Sequence, residues 1–272
     1  MKQKATLKNI SKSLNLSIST VSRALKNHPD ISESTKQKVT ELATMLDYEP
    51  NTYAINLKTN RSKTIGLMVP VISPYFYHSF ISAVEEESRK KDYSLFILQS
   101  GDDPAVELEN LRLCRVNRVA GLFVAISSAT KDIHPFLKLE EQGIPVIFFD
   151  KVPNYEACNK VCLADEDAGK LAAETLLKKD PQHILAIFGN PDLLITQKRQ
   201  RSFLEAIAAA PKTIPVTVRY ASSAEEAQHH CLESISFTSK PDLIFTMSDE
   251  ILTGVIKALY RSEEHTSELQ SH

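Results

Sequence analysis

Glycine is scarce in this sequence, with seven residues in a chain of 272. This scarcity argues against glycine-rich loops that cradle phosphates, and neither G-x-G-x-x-G nor G-x-x-x-x-G-K-[ST] occurs. A G-x-S-x-G nucleophile elbow is also missing, and the histidines stand apart from any nucleophile motif. Acidic runs such as Asp102-Asp103 are interpreted as solvated faces and caps rather than acid/base pairs. We therefore predict that the protein is not an enzyme and uses no cofactor.

Cysteine is also sparse, since Cys114, Cys158, Cys162 and Cys231 form no C-x-x-C pair. Zinc sites need paired ligands and disulfide scaffolds need dense cysteines, so structural or incidental thiols are favoured over a metal site. The sequence has no run of about 18 apolar residues that could cross a membrane. Its charged N-terminus lacks the apolar stretch of a secretory signal. These absences predict a cytoplasmic protein with no membrane partner.

What the sequence does contain is a charge asymmetry hidden beneath a net charge of −2. Residues 1–61 hold 10 lysines and arginines against 5 acidic residues, a local charge of +5. The rest of the chain holds 22 against 29, a local charge of −7. A basic head on an acidic body indicates a polyanion-binding module joined to a body that binds another kind of partner.

The head begins with two short helices. Leu7, Ile10 and Leu14 lie at helical spacing and give the first helix an apolar face. Asn15 then permits a tight turn, and Ser17 is a plausible N-cap for a second helix. A sharp turn between two short helices is typical of a helix-turn-helix motif.

A third helix is predicted after Ser32, which follows the hydrophobic lead-in residue Ile31. Its apolar positions Val39, Leu42 and Leu46 are expected to point inward. The three helices together would form one small core beneath the second helix.

The polar face of the second helix is suited to reading bases. Arg23 can donate two hydrogen bonds to guanine, serine and threonine hydroxyls can bind base edges or phosphates, and Ile18 can meet a thymine methyl group. The residues predicted to contact DNA here are Ser17, Ile18, Ser19, Thr20, Ser22, Arg23 and Lys26. The alternative is a small protein-binding bundle whose polar face is only solvated.

Two motifs in the head carry a resemblance to a known family. Thr20-Val21-Ser22-Arg23 matches the pattern T-V-S-R, and Tyr48-Glu49-Pro50-Asn51-Thr52-Tyr53-Ala54-Ile55-Asn56-Leu57 matches Y-x-P-N-x-x-A-x-x-L. Residues 6–59 thus resemble the DNA-binding head of the lactose-repressor (LacI-type) family. The resemblance implies that the head, residues 1–48, binds one half of a near-palindromic operator in double-stranded DNA.

The segment that follows, residues 49–61, contains too few residues for a stable isolated helix. The resemblance implies a hinge helix that orders on operator DNA and pairs with its dimer mate in the minor groove. Asn51, Ala54 and Leu57 are its predicted DNA contacts, with Leu57 as an apolar wedge and Ala54 allowing close approach. The alternative is a linker whose Leu57 packs on the body.

From residue 64 onward, short apolar runs alternate with amphipathic helices. This alternation predicts parallel, doubly wound sheets. The predicted strands cover residues 65–69, 94–98, 120–124, 145–150, 161–163, 184–188, 216–218 and 243–245. A break near residues 151–160 divides the body, residues 62–260, into subdomains of about 62–160 and 161–260. The expected fold is an all-α helix-turn-helix head on an α/β, periplasmic-binding-protein-like core whose second subdomain is incomplete.

Ligands of open α/β sheets bind beyond the carboxyl ends of the strands. Tyr75 and Phe76 follow the first strand and could stack on a sugar or base, with core packing of one ring as the alternative. Ser127 follows the third strand. Asp150 ends the fourth, where its carboxylate could accept two hydroxyl hydrogens or serve only as a turn residue.

The resemblance adds two effector-binding candidates. Arg199 lies in a segment similar to the family pattern G-x9-R-x-x-G-F, whose arginine reaches the effector, although Ser202 replaces the second glycine. Asp249 follows Ser248, where the family carries an Asn-Asp pair. Ala164-Asp165 is a further departure, since many relatives carry two acidic or amide residues there.

The end of the chain, residues 261–272, loses the apolar pattern of the preceding helix and resembles the translation of a sequencing-library adapter. We expect this tail to be non-native and the natural protein to continue beyond residue 260. The chain as written is expected to leave an exposed sheet edge, to aggregate and to dimerise poorly, whereas the full-length protein would be a homodimer.

These features predict a DNA-binding transcriptional regulator, and specifically a repressor. Its operator affinity would be controlled by a small ligand in the cleft of the core, a sugar or sugar metabolite. The alternative is a cytoplasmic small-molecule-binding protein or enzyme with an adventitious basic head.

Overall fold

The structure is a computed structural model that describes residues 5–49, 62–72, 76–236 and 240–270, with 262–270 described by their backbone alone. The chain divides into two compact units, residues 1–61 and 62–272. Within the described ranges, no helix has both the length and the apolar character needed to span a bilayer.

The first unit contains three helices: α1 (Leu7–Leu14), α2 (Ile18–Leu25) and α3 (Glu33–Met45). Each begins at a hydroxyl N-cap, because the side chains of Thr6, Ser17 and Ser32 each accept a hydrogen bond from a backbone N–H in the first turn. Asn15 adopts the left-handed conformation, with φ at 52°, and turns the chain between α1 and α2. The predicted helix-turn-helix is confirmed.

The core of this unit is built from all three helices. Its fully buried apolar residues are Ile10, Val21, Ala24, Val39 and Ala43. The prediction that Leu46 points inward was wrong, since this side chain is 40% exposed. Because α3 ends at Met45, the chain turns away before Leu46 can extend the apolar stripe.

The second unit contains two parallel sheets. The strands of the first sheet are β1 (Thr64–Val69), β2 (Ser94–Gln99), β3 (Gly121–Val124), β4 (Val146–Phe149) and β5 (Asn159–Val161). Their order is β2-β1-β3-β4-β5, and every neighbouring pair is parallel. The helices between these strands are α4 (Phe76–Lys90), α5 (Pro104–Val116) and α6 (His134–Glu141).

The second sheet has the order β7-β6-β8 and is also parallel. Its strands are β6 (Ile184–Phe188), β7 (Val216–Tyr220) and β8 (Leu243–Thr246). The helices of this half are α7 (Asp165–Leu177), α8 (Leu194–Ala208), α9 (Ala224–Ser236) and α10 (Asp249–Gln270).

Apolar cores lie on both faces of each sheet, as expected for doubly wound sheets. In the first sheet, Val124 and Phe148 face the core beneath α5 and α6, whereas Phe149 faces the core beneath α4. All five residues of β6 are buried, and alternate residues enter the two cores of the second sheet. The near-continuous apolar runs of the sequence therefore correspond to central strands.

Two boundaries differ from the sequence-based expectation. The strand near residue 161, expected to open the second subdomain, pairs with β4 and extends the first sheet. The last helix, whose apolar pattern ends near Tyr260, continues to Gln270. The added residues contain neither glycine nor proline, so nothing in their backbone propensity stops the helix.

Candidate functional site

The exposed face of α2 is the candidate DNA-binding surface. Ile18 is 49% exposed although it is a large apolar side chain, and Ser17, Ser19, Arg23 and Lys26 are exposed beside it. The other two predicted contacts, Thr20 and Ser22, are half-buried. Of the seven predicted contacts on or at the ends of α2, five are thus exposed and two half-buried, whereas Val21 and Ala24 are buried in the core.

Hydroxyl groups cluster at the N-terminus of α2. The Ser17 Oγ lies 2.7 Å from the Ser19 Oγ and 2.8 Å from the Thr20 Oγ1, and it accepts a hydrogen bond of 3.0 Å from the Thr20 backbone N–H. A helix N-terminus attracts anions through its free N–H groups and its dipole. This end of α2 is therefore suited to a phosphate oxygen.

The Arg23 side chain is held only weakly by its neighbour in the head. Its guanidinium lies 4.0 Å from the Asp30 carboxylate, and both side chains are more than half exposed. An exposed ion pair at this distance contributes little and does not hold the arginine away from DNA. The hinge residues Asn51, Ala54 and Leu57 lie outside the described residues.

In the body, Asp150 is held by a tyrosine that the sequence did not single out. The Tyr77 hydroxyl donates a hydrogen bond of 2.7 Å to the Asp150 Oδ2. Burial raises the pKa of the Asp150 carboxyl, and the hydrogen bond from Tyr77 opposes this rise. Asp150 has a φ of 54°, a left-handed conformation that aspartate tolerates, as the turn interpretation required.

Phe76 lies beside this pair at the start of α4 and is 42% exposed. Its ring stacks on Phe80 at a centroid distance of 6.0 Å, and Phe80 stacks on Phe149 at 4.0 Å. Phe76 therefore keeps an accessible face while its other contacts fix it in an aromatic cluster. Tyr75 lies outside the described residues.

Arg199, the candidate from α8, is paired with Asp165 at the start of α7. The Arg199 Nε donates to the Asp165 Oδ1 at 2.9 Å, and the two side chains are only 18% and 7% exposed. Arg199 also donates to the Met247 carbonyl at 3.5 Å. Gly169 permits this arrangement, because a Cβ there would overlap with the Arg199 carbonyl oxygen as α7 and α8 cross.

Asp150 follows β4 and Arg199 lies on α8, so they come from different halves of the body, yet their charges interact. The positive charge of Arg199 lowers the pKa of Asp150, whereas the negative charge of Asp165 raises it. Asp249 is exposed at the start of α10, two residues after the Met247 that contacts Arg199. Asp150 and Arg199, one from each half of the body, therefore lie close enough for their charges to interact, whereas no contact links Asp249 to them among the described residues.

Ser127 lies in a network that holds the loop after β3. It is buried, its hydroxyl donates to the Asp102 carbonyl, and its backbone N–H donates to the Glu107 carboxylate. Glu107 also accepts a hydrogen bond from Thr130. The Ser127 hydroxyl is thus engaged within the protein, which gives it a role in positioning the loop.

Asp102 connects this loop to the strand end that carries Asp150. Its carboxylate accepts hydrogen bonds from the Ser128 N–H at 3.0 Å and from the Lys151 Nζ at 3.2 Å. Although burial alone would raise it, these donors hold the pKa of Asp102 below its usual value. Asp102 was expected to be a solvated residue, and its partly buried position in this network is a correction.

A cavity of about 480 Å³ opens next to these residues. Its walls come from the loop after β3, from the chain after β4 and from the start of α8. Its polar lining includes Lys131, Asp132, His134, Asn154, Asp192 and Gln197. This volume lies in the range of small-molecule sites. In the part of the chain that the structure describes, no group of three or more potential metal ligands occurs.

Tyr77, Asp165 and Glu107 were missed because their roles depend on contacts distant in sequence. Tyr77 looks like part of the apolar stripe of α4, and Glu107 like an ordinary first-turn acid of α5. The one available signal was Asp165 itself, the acidic residue that remains at Ala164-Asp165, where many relatives carry two acidic or amide residues.

The two units match two models of one family. Residues 6–51 match the bacterial regulatory proteins of the lacI family. Residues 62–267 match the periplasmic binding proteins and sugar binding domain of the LacI family. The chain belongs to the LacI family. Its members are DNA-binding transcriptional regulators rather than enzymes, and the predicted head and core architecture is confirmed.

Curated LacI-family relatives align along most of the chain. The HTH-type transcriptional repressor PurR of Aliivibrio fischeri is 28% identical over 263 residues, covering 95% of this chain and 77% of that protein. The fructose operon regulatory protein of Vibrio cholerae is 27% identical over 238 residues, covering 86% of this chain and 72% of that protein.

Solved structures agree with this assignment. The Cra transcriptional dual regulator from Pseudomonas putida, in complex with fructose 1-phosphate, is 28% identical with a TM-score of 0.67, and the match covers 74% of each chain. The lac repressor dimer bound to operator and the anti-inducer ONPF has a TM-score of 0.81 at 18% identity, covering 96% of this chain and 79% of that one. At this identity the second likeness concerns the fold alone.

Proposed function

We propose that this LacI-family member is a transcriptional repressor that acts in the cytoplasm as a homodimer on a near-palindromic operator. Each α2 reads one half-site, mainly through Ile18, Ser19 and Arg23. A sugar or sugar metabolite binds in the cleft of the body and changes operator affinity.

The observation that carries the effector part of this proposal is the convergence of Asp150 and Arg199 from opposite halves of the body. Asp150 has one oxygen bonded to Tyr77, and its second oxygen has no hydrogen bond among the described residues. Arg199 uses Nε and Nη1 within the protein, which leaves its second terminal nitrogen for a ligand. A sugar can donate a hydroxyl hydrogen to the first and accept from the second.

A ligand that contacts both sheets would favour a closed cleft. If the closed and open cleft differ in the spacing of the two heads, ligand and operator affect each other's affinity by the same free energy. The hinge residues Asn51, Ala54 and Leu57 are part of this proposal as minor-groove contacts. The named ligand of the Cra relative, fructose 1-phosphate, supports a compound with a sugar skeleton as the effector class.

The test begins with DNA selected from a random-sequence pool, whose affinity is measured by fluorescence anisotropy. We expect selection of a near-palindrome, with affinity falling steeply when one half-site is scrambled. A panel of sugars, sugar phosphates and nucleobases is then added, and at least one compound should change operator affinity.

Asp150→Asn and Arg199→Ala should keep operator binding but lose the response to that compound. Glu174→Gln, an exposed position on α7, is the matched control and should respond as the wild type does. Absence of sequence preference in the selection, or an unchanged response in both cleft variants, would contradict the proposal.

A further inference from the structure

The cleft of the body carries more negative than positive charge. Three carboxylates, those of Asp102, Asp150 and Asp165, lie around this site against two cations, Lys151 and Arg199. The adjoining cavity adds Asp132 and Asp192 against Lys131, with His134 beside them. An anionic ligand would therefore meet more like charges than opposite ones.

Two of the nearby cations are already committed to carboxylates. Arg199 is paired with the almost fully buried Asp165 at 2.9 Å, and Lys151 is paired with Asp102 at 3.2 Å. Drawing Arg199 towards a phosphate would leave the buried Asp165 without its partner, which is unfavourable. Among the described residues lining the cavity, Lys131 makes no ion pair, but it is exposed and followed directly by Asp132.

The half-buried Asp150 strengthens this preference. Burial disfavours its charged form, so hydroxyl donors from a ligand would stabilise the carboxylate and a second anion would destabilise it. Electrostatic interactions are also stronger where water is excluded, and this increases the penalty for a ligand of like charge.

One feature of the cleft works in the opposite direction. The N-terminus of α8 lines the cavity through Leu193 and Leu194, and its N-cap Leu193 makes no side-chain capping bond. A helix N-terminus carries about half a positive charge and attracts anions. Asp192, however, directly precedes this N-cap and already supplies a full negative charge there.

We infer that the effector is an uncharged polyhydroxy compound, a free sugar or polyol, and that the site discriminates against the phosphate ester of the same compound. This inference rests on the proposed function, in which Asp150 and Arg199 contact the effector. It separates this chain from the Cra relative, whose structure holds fructose 1-phosphate.

The experiment is isothermal titration calorimetry of the full chain with matched pairs. Suitable pairs are D-fructose and fructose 1-phosphate, D-glucose and glucose 6-phosphate, D-ribose and ribose 5-phosphate, and sorbitol and sorbitol 6-phosphate. We expect the uncharged member of at least one pair to bind about 100-fold more tightly than its ester, because like-charge juxtaposition costs several kcal/mol.

Asp192→Asn, at an exposed position just before α8, removes one carboxylate from the lining of the adjoining cavity with little change in side-chain size. We expect this variant to bring the affinity of the ester closer to that of the sugar. Glu174→Gln, which removes an exposed acid on α7, should leave the ratio of the two affinities unchanged. Asp150→Asn should weaken binding of the uncharged member itself.

The outcomes separate the two proposals. Tighter binding of a phosphate ester, or of a nucleobase alone, overturns this inference while leaving an effector-controlled regulator in place. If no compound binds and none changes operator affinity, both proposals fail.

Discussion

At the scale of single residues, the two predicted binding surfaces differ in how their charged side chains are held. Arg23 is exposed, and its guanidinium lies 4.0 Å from the Asp30 carboxylate. Asp150 is half-buried and oriented by the Tyr77 hydroxyl. Orienting a group before a ligand arrives removes part of the entropic cost of binding. The Asp150 carboxylate is thus held in one orientation before a ligand binds. The exposed Arg23 side chain is expected to change its conformation when DNA binds.

Replacing Arg23 with alanine should weaken binding to the selected operator by about 1–3 kcal/mol, because a bidentate contact to guanine is lost. Sequence preference should relax at one base pair of each half-site. Competition anisotropy with single-base operator variants measures both effects. Lys170→Ala, an exposed position of the body, removes the same charge and should leave affinity and preference unchanged. Equal losses in the two variants would mean that Arg23 acts only through net charge.

Replacing Tyr77 with phenylalanine should lower the free energy of unfolding by about 1–3 kcal/mol, because the partly buried Asp150 loses a donor. The pKa of Asp150 should rise further, since the bond from Tyr77 favours the carboxylate form. Urea denaturation and NMR titration of labelled aspartate carboxyls measure these changes. Tyr93→Phe is the control, because the Tyr93 hydroxyl makes no hydrogen bond within the described ranges. If the pKa of Asp150 were unchanged in Tyr77→Phe, the hydrogen bond from Tyr77 would not be what stabilises the ionised carboxylate.

At the scale of elements, the loops after β2, β3 and β4 are joined by side chains rather than by strand pairing. Glu107 and Asp102 bind the loop after β3, and Lys151 links Asp102 to the end of β4. Loops that line a ligand site are more precise when such contacts fix them. The buried Glu107 therefore affects the cavity through the loop, without touching a ligand.

Glu107→Gln tests the cost of burying this carboxylate. Burial raises the pKa of Glu107 above its ordinary value of 4.5. The ionised form therefore costs stability at neutral pH, and this cost decreases as the pH falls from the raised pKa towards the ordinary value of 4.5. Glutamine cannot ionise, so the variant should be the more stable protein at pH 7. The gain is about 1.4 kcal/mol for each tenfold increase in the proton affinity of the Glu107 carboxylate on folding.

This difference should vanish below pH 4.5, where the wild-type carboxyl is protonated in both folded and unfolded states. Urea denaturation of both proteins across this pH range provides the comparison. The exposed Glu109→Gln on the same helix should follow the wild type at every pH. A stability difference that does not change with pH would argue against burial of an ionisable Glu107 as its cause.

Element types were largely predictable from the sequence, and their limits less so. The period of apolar residues predicted the helix-turn-helix and the alternation of strands and helices, because burial imposes that period. Leu46 continues the apolar spacing of α3, but the helix ends before it. The strand at Asn159–Val161 carries no sign of which sheet it joins, since pairing partners are chosen by tertiary contacts.

At the scale of the whole molecule, the small net charge conceals two opposed parts. The +5 of residues 1–61 is expected to favour DNA, a polyanion, whereas the −7 of the remainder belongs to the unit that carries the proposed uncharged effector. Each unit therefore has a net charge that fits its own proposed partner.

The two binding events should consequently respond differently to salt. Operator affinity should fall steeply between low and physiological salt, with a slope in log–log form of about 0.9 for each phosphate neutralised. Binding of an uncharged effector should stay nearly constant over the same range, because no counterions are released. Anisotropy and calorimetry at matched potassium chloride concentrations test this. Parallel salt dependence of both affinities would refute the separation of charge between the two units.

The sequence by itself determined the architecture, and it supplied the proposed DNA-reading face of α2 and the proposed ligand-binding strand ends. These follow from local rules, since hydrophobic period, capping residues and contiguous motifs can be read along the chain. Only the tertiary structure showed that Tyr77 donates a hydrogen bond to Asp150 and that Asp165 forms an ion pair with Arg199. It also showed that the Ser127 backbone N–H donates a hydrogen bond to Glu107. The physical reason is distance along the chain. Partners separated by 20 to 73 residues meet only when the sheets have formed, and no local pattern specifies which polar groups will then face each other.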